Sequence, residues 1–451
     1  MIGGRVAESS GRPPQQLPIA VAATLPGAYL GAAHYLGLPH GQLPAALLAL
    51  IYGIAIVGAA FILSWAAEAA QVDINAGLAL ALLALLAVLP EYAVDFVFTW
   101  QCGGIYAQGP PGLTGESNVC SLALANMTGA NRVLVGVGWP LVVLVATLAV
   151  WRARQAGRQT TTSASTGAGE VRLAPNMSVE VVFLGIATLY SLTLPLKSTL
   201  TMWDSLIFIA IFALYGWRLS KMHPSKPDLL GVSAWVGAQQ KRPRRAWVTT
   251  MFAVAGLMIL LTAEHFAESL VATGEQLGVS QFLLVQWVAP LASESPELIV
   301  ACLYAWRLKA ADSLGTLLSS KVNQWTLLVG SLPLVFALAA PTTDGLPLDT
   351  QQRYELLITA AQSLFAVAIL IDLSVTFYGA IGLLSLFSVQ FLVSVFASAQ
   401  ANQVTIIVLS ILYGVLALAQ FARHYRKTAR VVKDGTVTSF DRLADEPASP
   451  A

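Results

Sequence analysis

Long apolar runs separated by short polar segments run along the whole chain. A membrane-crossing helix needs about 20 mainly apolar residues, and windows of that length pick out about twelve stretches. They lie near 18–37, 43–70, 75–101, 120–150, 178–197, 201–219, 247–275, 279–306, 314–340, 354–373, 375–397 and 403–423. The pattern predicts an all-α polytopic membrane protein. The first stretch follows Arg5 and Arg12, so a signal-peptide core is its alternative reading. At about 20 apolar residues it is long for such a core, which favours a helix that is retained.

Composition sharpens this picture. Of 451 residues, 56% are AVILMFWYC and 11% are charged, where soluble proteins carry about 25% charged residues. A soluble enzyme, a disordered chain and a nucleic-acid-binding protein are excluded. The net charge of +1 implies no bulk electrostatic partner. The partners expected are membrane lipid and small inorganic cations, with no nucleic acid and no obligate protein partner.

Charge between the spans sets orientation through the cytoplasmic excess of Lys and Arg. Arg152, Arg154, Arg158 and Arg172 follow one span, and Lys221, Lys226, Lys241, Arg242, Arg244 and Arg245 follow another. Arg307 with Lys309, and the tail with Arg423, Arg426, Lys427, Arg430 and Lys433, fall on the same side of a twelve-span chain. Both termini are then cytoplasmic. Short loops on that side point to a prokaryotic plasma membrane. The stretches 159–169 and 220–246 are expected to be disordered cytoplasmic linkers. Cys102 and Cys120 flank a loop on the opposite side; a disulfide and two free thiols are both open.

Residues 58–91 and 259–297 share a plan: an apolar helix with an acid, a Gly-containing turn, then a helix carrying Pro-Glu. Each is followed by a helix with a polar start, at 124–138 and 317–330. The two units begin on opposite sides of the membrane, so the repeats are inverted, a layout typical of secondary transporters with a site near mid-membrane. The expected divisions are 1–42, an N-terminus with an extra helix; 43–219, a first five-helix repeat; 220–246, a basic linker; 247–397, a second repeat; and 398–451, an extra helix and tail.

Glu91 and Glu297 sit inside their helices, each directly after a proline. Proline removes an N–H and frees the carbonyl four residues back, here Leu86 and Ala292. A carboxylate beside bare carbonyl oxygens is a plausible hard-cation site. Asp95 shares a helical face with Glu91, and Glu294 with Glu297, where Ser293 and Ser295 add oxygens. A charge at the bilayer centre costs about 2.5–3.5 kcal/mol on insertion scales, so four acids on two helices argue for function. The competing reading is structural, with the acids locked by buried bases, Arg132 first and Lys321 second.

At these residues the chain resembles the calcium/cation antiporter superfamily, which includes sodium/calcium exchangers. That pattern is a Gly-Thr-Ser-x-Pro-Glu helix followed by a Gly-Ser-Asn-x-x-Asn/Asp helix, repeated with inverted topology. Ser293-Glu294-Ser295-Pro296-Glu297 and Ser319-Ser320-Lys321-Val322-Asn323-Gln324 match it in the second repeat. The first repeat has Ala87-Val88-Leu89-Pro90-Glu91, without hydroxyls. Aligning Gly138 with Gly330 puts Thr128 opposite Ser320 and Arg132 opposite Gln324. The resemblance implies Glu91 and Glu297 as central cation ligands, with oxygens from Ser293, Thr128, Ser320 and Gln324. Glu294 and Asp95 join them as candidate anionic ligands, and Arg132 and Lys321 as charge-compensating groups. Arg132 departs from the pattern; its fixed charge would repel a cation in the first-repeat half and displace the site toward the second repeat. Calcium, which takes six to eight oxygens, is then served less well than sodium or a proton.

Weaker signals are Glu68, Glu264, His265 and Glu268, read as cation attractors, a histidine relay or a packed polar face, and Asp204 and Asp372 near helix ends. No nucleotide-binding loop, HExxH or Cys/His cluster is present, and no cofactor is expected. The expected function is a secondary antiporter, not an enzyme, exchanging Na+ or H+ for Ca2+ or another cation. The alternatives are an Na+/H+ exchanger, a channel, a non-transporting descendant silenced by Arg132, and an intramembrane hydrolase.

Overall fold

The computed structural model describes residues 13–39, 43–73, 88–108, 119–155, 166–167, 169–222 and 229–445. An N-terminal helix α1 (Gln16–Leu36) precedes a first set of helices: α2 (Ala45–Ala70), α3 (Leu89–Ala107), the short α4 (Val119–Leu122), α5 (Ala125–Val133), α6 (Trp139–Gln155), α7 (Ser178–Ser191) and α8 (Met202–Leu219). After α9 (Val232–Gly237) comes a second set: α10 (Lys241–Leu277), α11 (Gln281–Trp306), α12 (Ala310–Asn323), α13 (Val329–Ala339), α14 (Thr350–Ile369) and α15 (Phe377–Phe396). The chain ends with α16 (Ala399–Arg423), α17 (Tyr425–Thr436) and α18 (Phe440–Asp445).

Ten helices among the described residues are long and apolar enough to cross a membrane. The stretches near 75–101 and 279–306 are not among them. Residues 74–87 lie outside the described residues, and the other stretch forms α11, which carries Glu294 and Glu297.

Side chains are arranged as lipid solvent requires. Leu260, Leu338, Phe396 and Leu418 are exposed on α10, α13, α15 and α16, while Asp95, Asn126, Gln286, Lys321 and Asn323 are fully buried. Backbone polar groups close within helices, so an apolar exterior costs nothing at depth, whereas a polar one would.

The two sets pack reciprocally. Helix α2 lies along α10; α8 packs on α13 as α15 packs on α6, and α7 on α12 as α14 on α5. Short strands repeat the exchange. β2 (Glu170–Arg172), beside β1 (Thr166–Gly167), pairs antiparallel with β5 (Ser374–Thr376), and β3 (Thr199–Leu200) with β4 (Leu346–Pro347). Each set also carries a five-residue π-helical turn, Leu134–Gly138 and Gln324–Leu328. Such turns recur at functional sites because the inserted residue re-aims the side chains beside it.

Side-chain caps fix two helix starts: Thr201 with Asp204 for α8, and Asp349 with Gln352 for α14. Asp204 is thus held at a helix end, paired there with Lys197 and Tyr190.

The expected disorder of 220–246 is corrected in part. Residues 232–237 form α9, and α10 already starts at Lys241. Buried Glu68 at the end of α2 needs a partner and accepts the Ser233 hydroxyl at 2.5 Å. Trp235 packs on Trp247, and Arg244 binds Asp73 at 2.7 Å. The tail is likewise seated: Arg218 donates to the carbonyls of Asp434, Gly435 and Thr438, and Asp372 pairs with Lys427 at 3.0 Å.

Candidate functional site

Helices α3 and α11 bring the Pro-Glu segments into the core, and α12 and α5 present their polar starts to them. All ten residues singled out from the sequence are buried, none more than 8% exposed: Glu91, Asp95, Thr128, Arg132, Ser293, Glu294, Glu297, Ser320, Lys321 and Gln324.

Seven of them form one cluster. Glu91 faces the Ser293 hydroxyl and lies within electrostatic reach of Glu294 and Glu297. Glu297 faces Ser320, and Glu294 accepts a hydrogen bond from the Gln324 amide. Lys321 is the base within electrostatic reach of Glu294; its ammonium donates to the backbone and side-chain oxygens of Asn131, at 3.1 and 3.0 Å. Glu91 Oε2, Glu294 Oε2, Glu297 Oε2 and Ser320 Oγ have no hydrogen-bond partner among the described residues. Buried oxygens left open in this way are what a transported cation or proton can bind. No three Asp, Glu, His or Cys side chains among the described residues converge closely enough to hold a metal ion by themselves.

The other three residues meet partners outside that cluster. Asp95 faces Asn126 and the backbone N–H of Met127, which are the second and third residues of α5. Both of its carboxyl oxygens lack a geometric hydrogen-bond partner among the described residues, and it also lies within electrostatic reach of Glu91. Thr128 turns its hydroxyl back to the carbonyls of Leu124 and Ala125, at 2.9 and 3.1 Å. Arg132 reaches Glu355 on α14, with Nη1–Oε2 at 2.7 Å. Its guanidinium lies 4.7 Å from the Trp287 ring centroid, and Nε donates to the Thr128 carbonyl. The charge expected to oppose a cation at the centre is thus neutralised away from it.

The carbonyl freed by Pro296 is not bare. Ala292 accepts the Ser295 hydroxyl at 3.2 Å, so Ser295 serves the backbone instead of the cation site. Leu86, the corresponding carbonyl of the other repeat, lies outside the described residues.

Close helix crossing makes the site possible. A Cβ on Gly129 of α5 would fall 1.8 Å from the Gln286 carbonyl of α11. Only glycine lets these two backbones approach, and that approach sets Asn131 and Arg132 beside Lys321 and Trp287.

Glu355, Gln286, Asn126 and Asn131 were not singled out by the sequence reading. Gln286 stands as an isolated polar residue in an apolar stretch, and that is a usable signal because such residues face the bundle interior; Glu355 follows the polar run 349–353 and carries no such signal. Gln286 faces Glu355, which completes the group around Arg132.

A model of the sodium/calcium exchanger protein family matches residues 44–220 and 247–422. Among solved structures, the crystal structure of an H+/Ca2+ exchanger, CAX, is 38% identical. That match covers 95% of this chain and 98% of that one, with a TM-score of 0.79. Native YfkE is 14% identical, covering 89% of this chain and 100% of that one, with a TM-score of 0.55, a likeness of fold alone. No curated protein matches the chain.

Proposed function

The chain belongs to the sodium/calcium exchanger protein family, whose members are membrane cation transporters, and on that premise we propose that it exchanges Ca2+ for protons at the carboxylates between α3 and α11. The observation that carries this reading is the cluster itself. Glu91, Glu294 and Glu297 lie buried within electrostatic reach of one another, with Lys321 as the base within reach of Glu294. Carboxylates sharing a site of low dielectric cannot all stay ionised. Either a divalent cation or protons must neutralise them, and the two compete for the same oxygens. That competition is the chemical basis of antiport.

In this reading Glu91 and Glu297 are the central ligands, and Glu294, Ser293, Ser320 and Gln324 complete the shell. Asp95 and Thr128 position α5, Lys321 compensates charge, and Arg132 belongs to its own ion pair. A proton needs no coordination shell. A sodium ion needs several neutral oxygens, and the first-repeat side offers a self-bonded Thr128 and an arginine in their place. The 38% identity to a structure described as an H+/Ca2+ exchanger supports the same choice. Both termini are read on the basic, cytoplasmic side of a prokaryotic plasma membrane.

The test is isotopic calcium uptake into proteoliposomes, driven either by an acidic interior or by internal sodium at equal pH, with Glu297→Gln as control. Uptake that follows the proton gradient, collapses with a protonophore and vanishes in the variant is the expected result. Uptake driven by sodium alone would transfer the counter-ion role to sodium.

A further inference from the structure

A groove of about 480 Å³ runs along α2, with α1 on one side and α11 on the other. Its polar groups are gathered at one end. Gln16 is there at the start of α1, Glu68 near the end of α2, and Tyr304 and Arg307 at the end of α11. Tyr304 is within electrostatic reach of Glu68, and the Glu68 carboxylate accepts the Ser233 hydroxyl of α9. Beyond that end the walls are apolar: Ile19 and Ala23 from α1, Ile54 and Val57 from α2, Ile299 and Leu303 from α11. Ile19, Ile54 and Leu303 are exposed, so the groove is open along its side.

Length and charge say what fits. From Ile54 to Glu68 the groove follows α2 through a rise of about 21 Å. One leaflet of a hydrocarbon core about 30 Å thick is about 15 Å deep. The groove therefore reaches from headgroup level through the depth of one leaflet. Arginines stand at its polar end. Arg307 lines the groove, and Trp306 beside it carries the Arg152 guanidinium of α6 at 4.1 Å from its ring centroid. Neither arginine forms an ion pair among the described residues.

We propose that this groove is a binding site for an anionic phospholipid, one acyl chain lying between α1 and α11 and the phosphate meeting Arg307, with Arg152 adjacent. Apolar walls offer no oxygens to a cation, so the groove is not an ion route to the carboxylates. An apolar recess left empty in a bilayer forfeits dispersion contacts, which a hydrocarbon chain restores. The guanidinium fork matches phosphate oxygens, and basic recesses between spanning helices select anionic headgroups. Glu68 does not oppose the phosphate, because its carboxylate is engaged by Ser233. The lipid sits between the N-terminal helix and α11, which carries Glu294 and Glu297.

The test is native mass spectrometry of the full-length protein in detergent, titrated with phosphatidylglycerol or phosphatidylcholine of identical chains. Preferential retention of one phosphatidylglycerol is expected. Arg307 is exposed, so Arg307→Gln leaves the fold intact; it should weaken that retention about fivefold and leave phosphatidylcholine unaffected. Adding Arg152→Gln should weaken it further. Ala23→Phe fills the groove and should remove the retained lipid, and Ile54→Trp fills it from α2 if the first variant does not fold. Glycerol phosphate, the headgroup chemistry without a chain, should not displace the lipid. No retained lipid, or equal retention of the two lipids, overturns the proposal. Retention unchanged in the filled variants overturns the groove as the site, and displacement by glycerol phosphate makes it a site for free phosphate instead.

Discussion

Arg132 and Glu355 form an ion pair with Nη1–Oε2 at 2.7 Å, each side chain 1% exposed. The arginine at a candidate ligand position is thereby answered by an acid on α14 and not by the Pro-Glu acids. Breaking a buried pair leaves one charge uncompensated, at a cost of about 3–5 kcal/mol, whereas replacing both partners is often near neutral. Arg132→Asn alone is expected to lower thermal stability sharply and reduce calcium uptake. Arg132→Asn with Glu355→Gln should recover most of the stability. A double-mutant cycle read by melting temperature in detergent measures this; strict additivity of the two losses would remove the pair from the account.

Glu91 and Asp95 share a helix face yet differ in surroundings, and their amide variants should differ as well. Glu91→Gln removes a carboxylate from the central cluster and is expected to abolish calcium uptake and calcium-dependent protection from thermal unfolding. Asp95→Asn keeps a polar group at the start of α5 and should lower uptake only a few-fold, with calcium protection retained. Equal loss of calcium binding in both variants would return Asp95 to the cation shell.

Gly129→Ala places a methyl group into the Gln286 backbone, so α5 and α11 must separate. Loss of uptake and a destabilisation above about 2 kcal/mol are expected, within the range of overpacking costs. A Cβ on Gly256 of α10 meets nothing within 4 Å. Gly256→Ala should leave uptake intact and stabilise the helix by up to about 1 kcal/mol. The two variants together separate close helix approach from a general intolerance of alanine.

Cys102 and Cys120 form a disulfide, with Cα atoms 4.7 Å apart across a separation of 18 residues. Both should resist alkylation until reduced, while half-buried Cys302 reacts slowly without reductant. Closing a loop of this length is worth about 3 kcal/mol in the chain-entropy model, so Cys102→Ser should lower stability by a loss of that order.

Asp73, just past the end of α2, is held below the ordinary carboxylate value by its hydrogen bond from Arg244. A depressed folded value means that the stabilisation is fully present above the unfolded value of about 3.9 and is lost as pH falls through the folded one. Asp73→Asn should cost about 1 kcal/mol at neutral pH and flatten the acid limb of the stability curve by that amount.

Much of this protein follows from the sequence. Runs of about 20 apolar residues dictate spanning helices, because a backbone in lipid must satisfy its own hydrogen bonds. Intramembrane acids are costly enough to stand out, so Glu91, Glu294 and Glu297 were legible, as were Ser293, Ser320 and Gln324 through the repeated motif. The sequence could not decide which buried charge meets which. Helical periodicity places Asp95 on the face of Glu91, but the neighbour that reaches that face is the start of α5. Arg132 was legible as a buried base, yet its partner lies more than two hundred residues away on α14, and that pairing depends on α5 crossing α11 at Gly129. Likewise, the Ala292 carbonyl is freed by covalent chemistry, while the rotamer of Ser295 determines that it is filled. Residue type and spacing set the energetic demands; packing between distant helices chose which groups satisfy them.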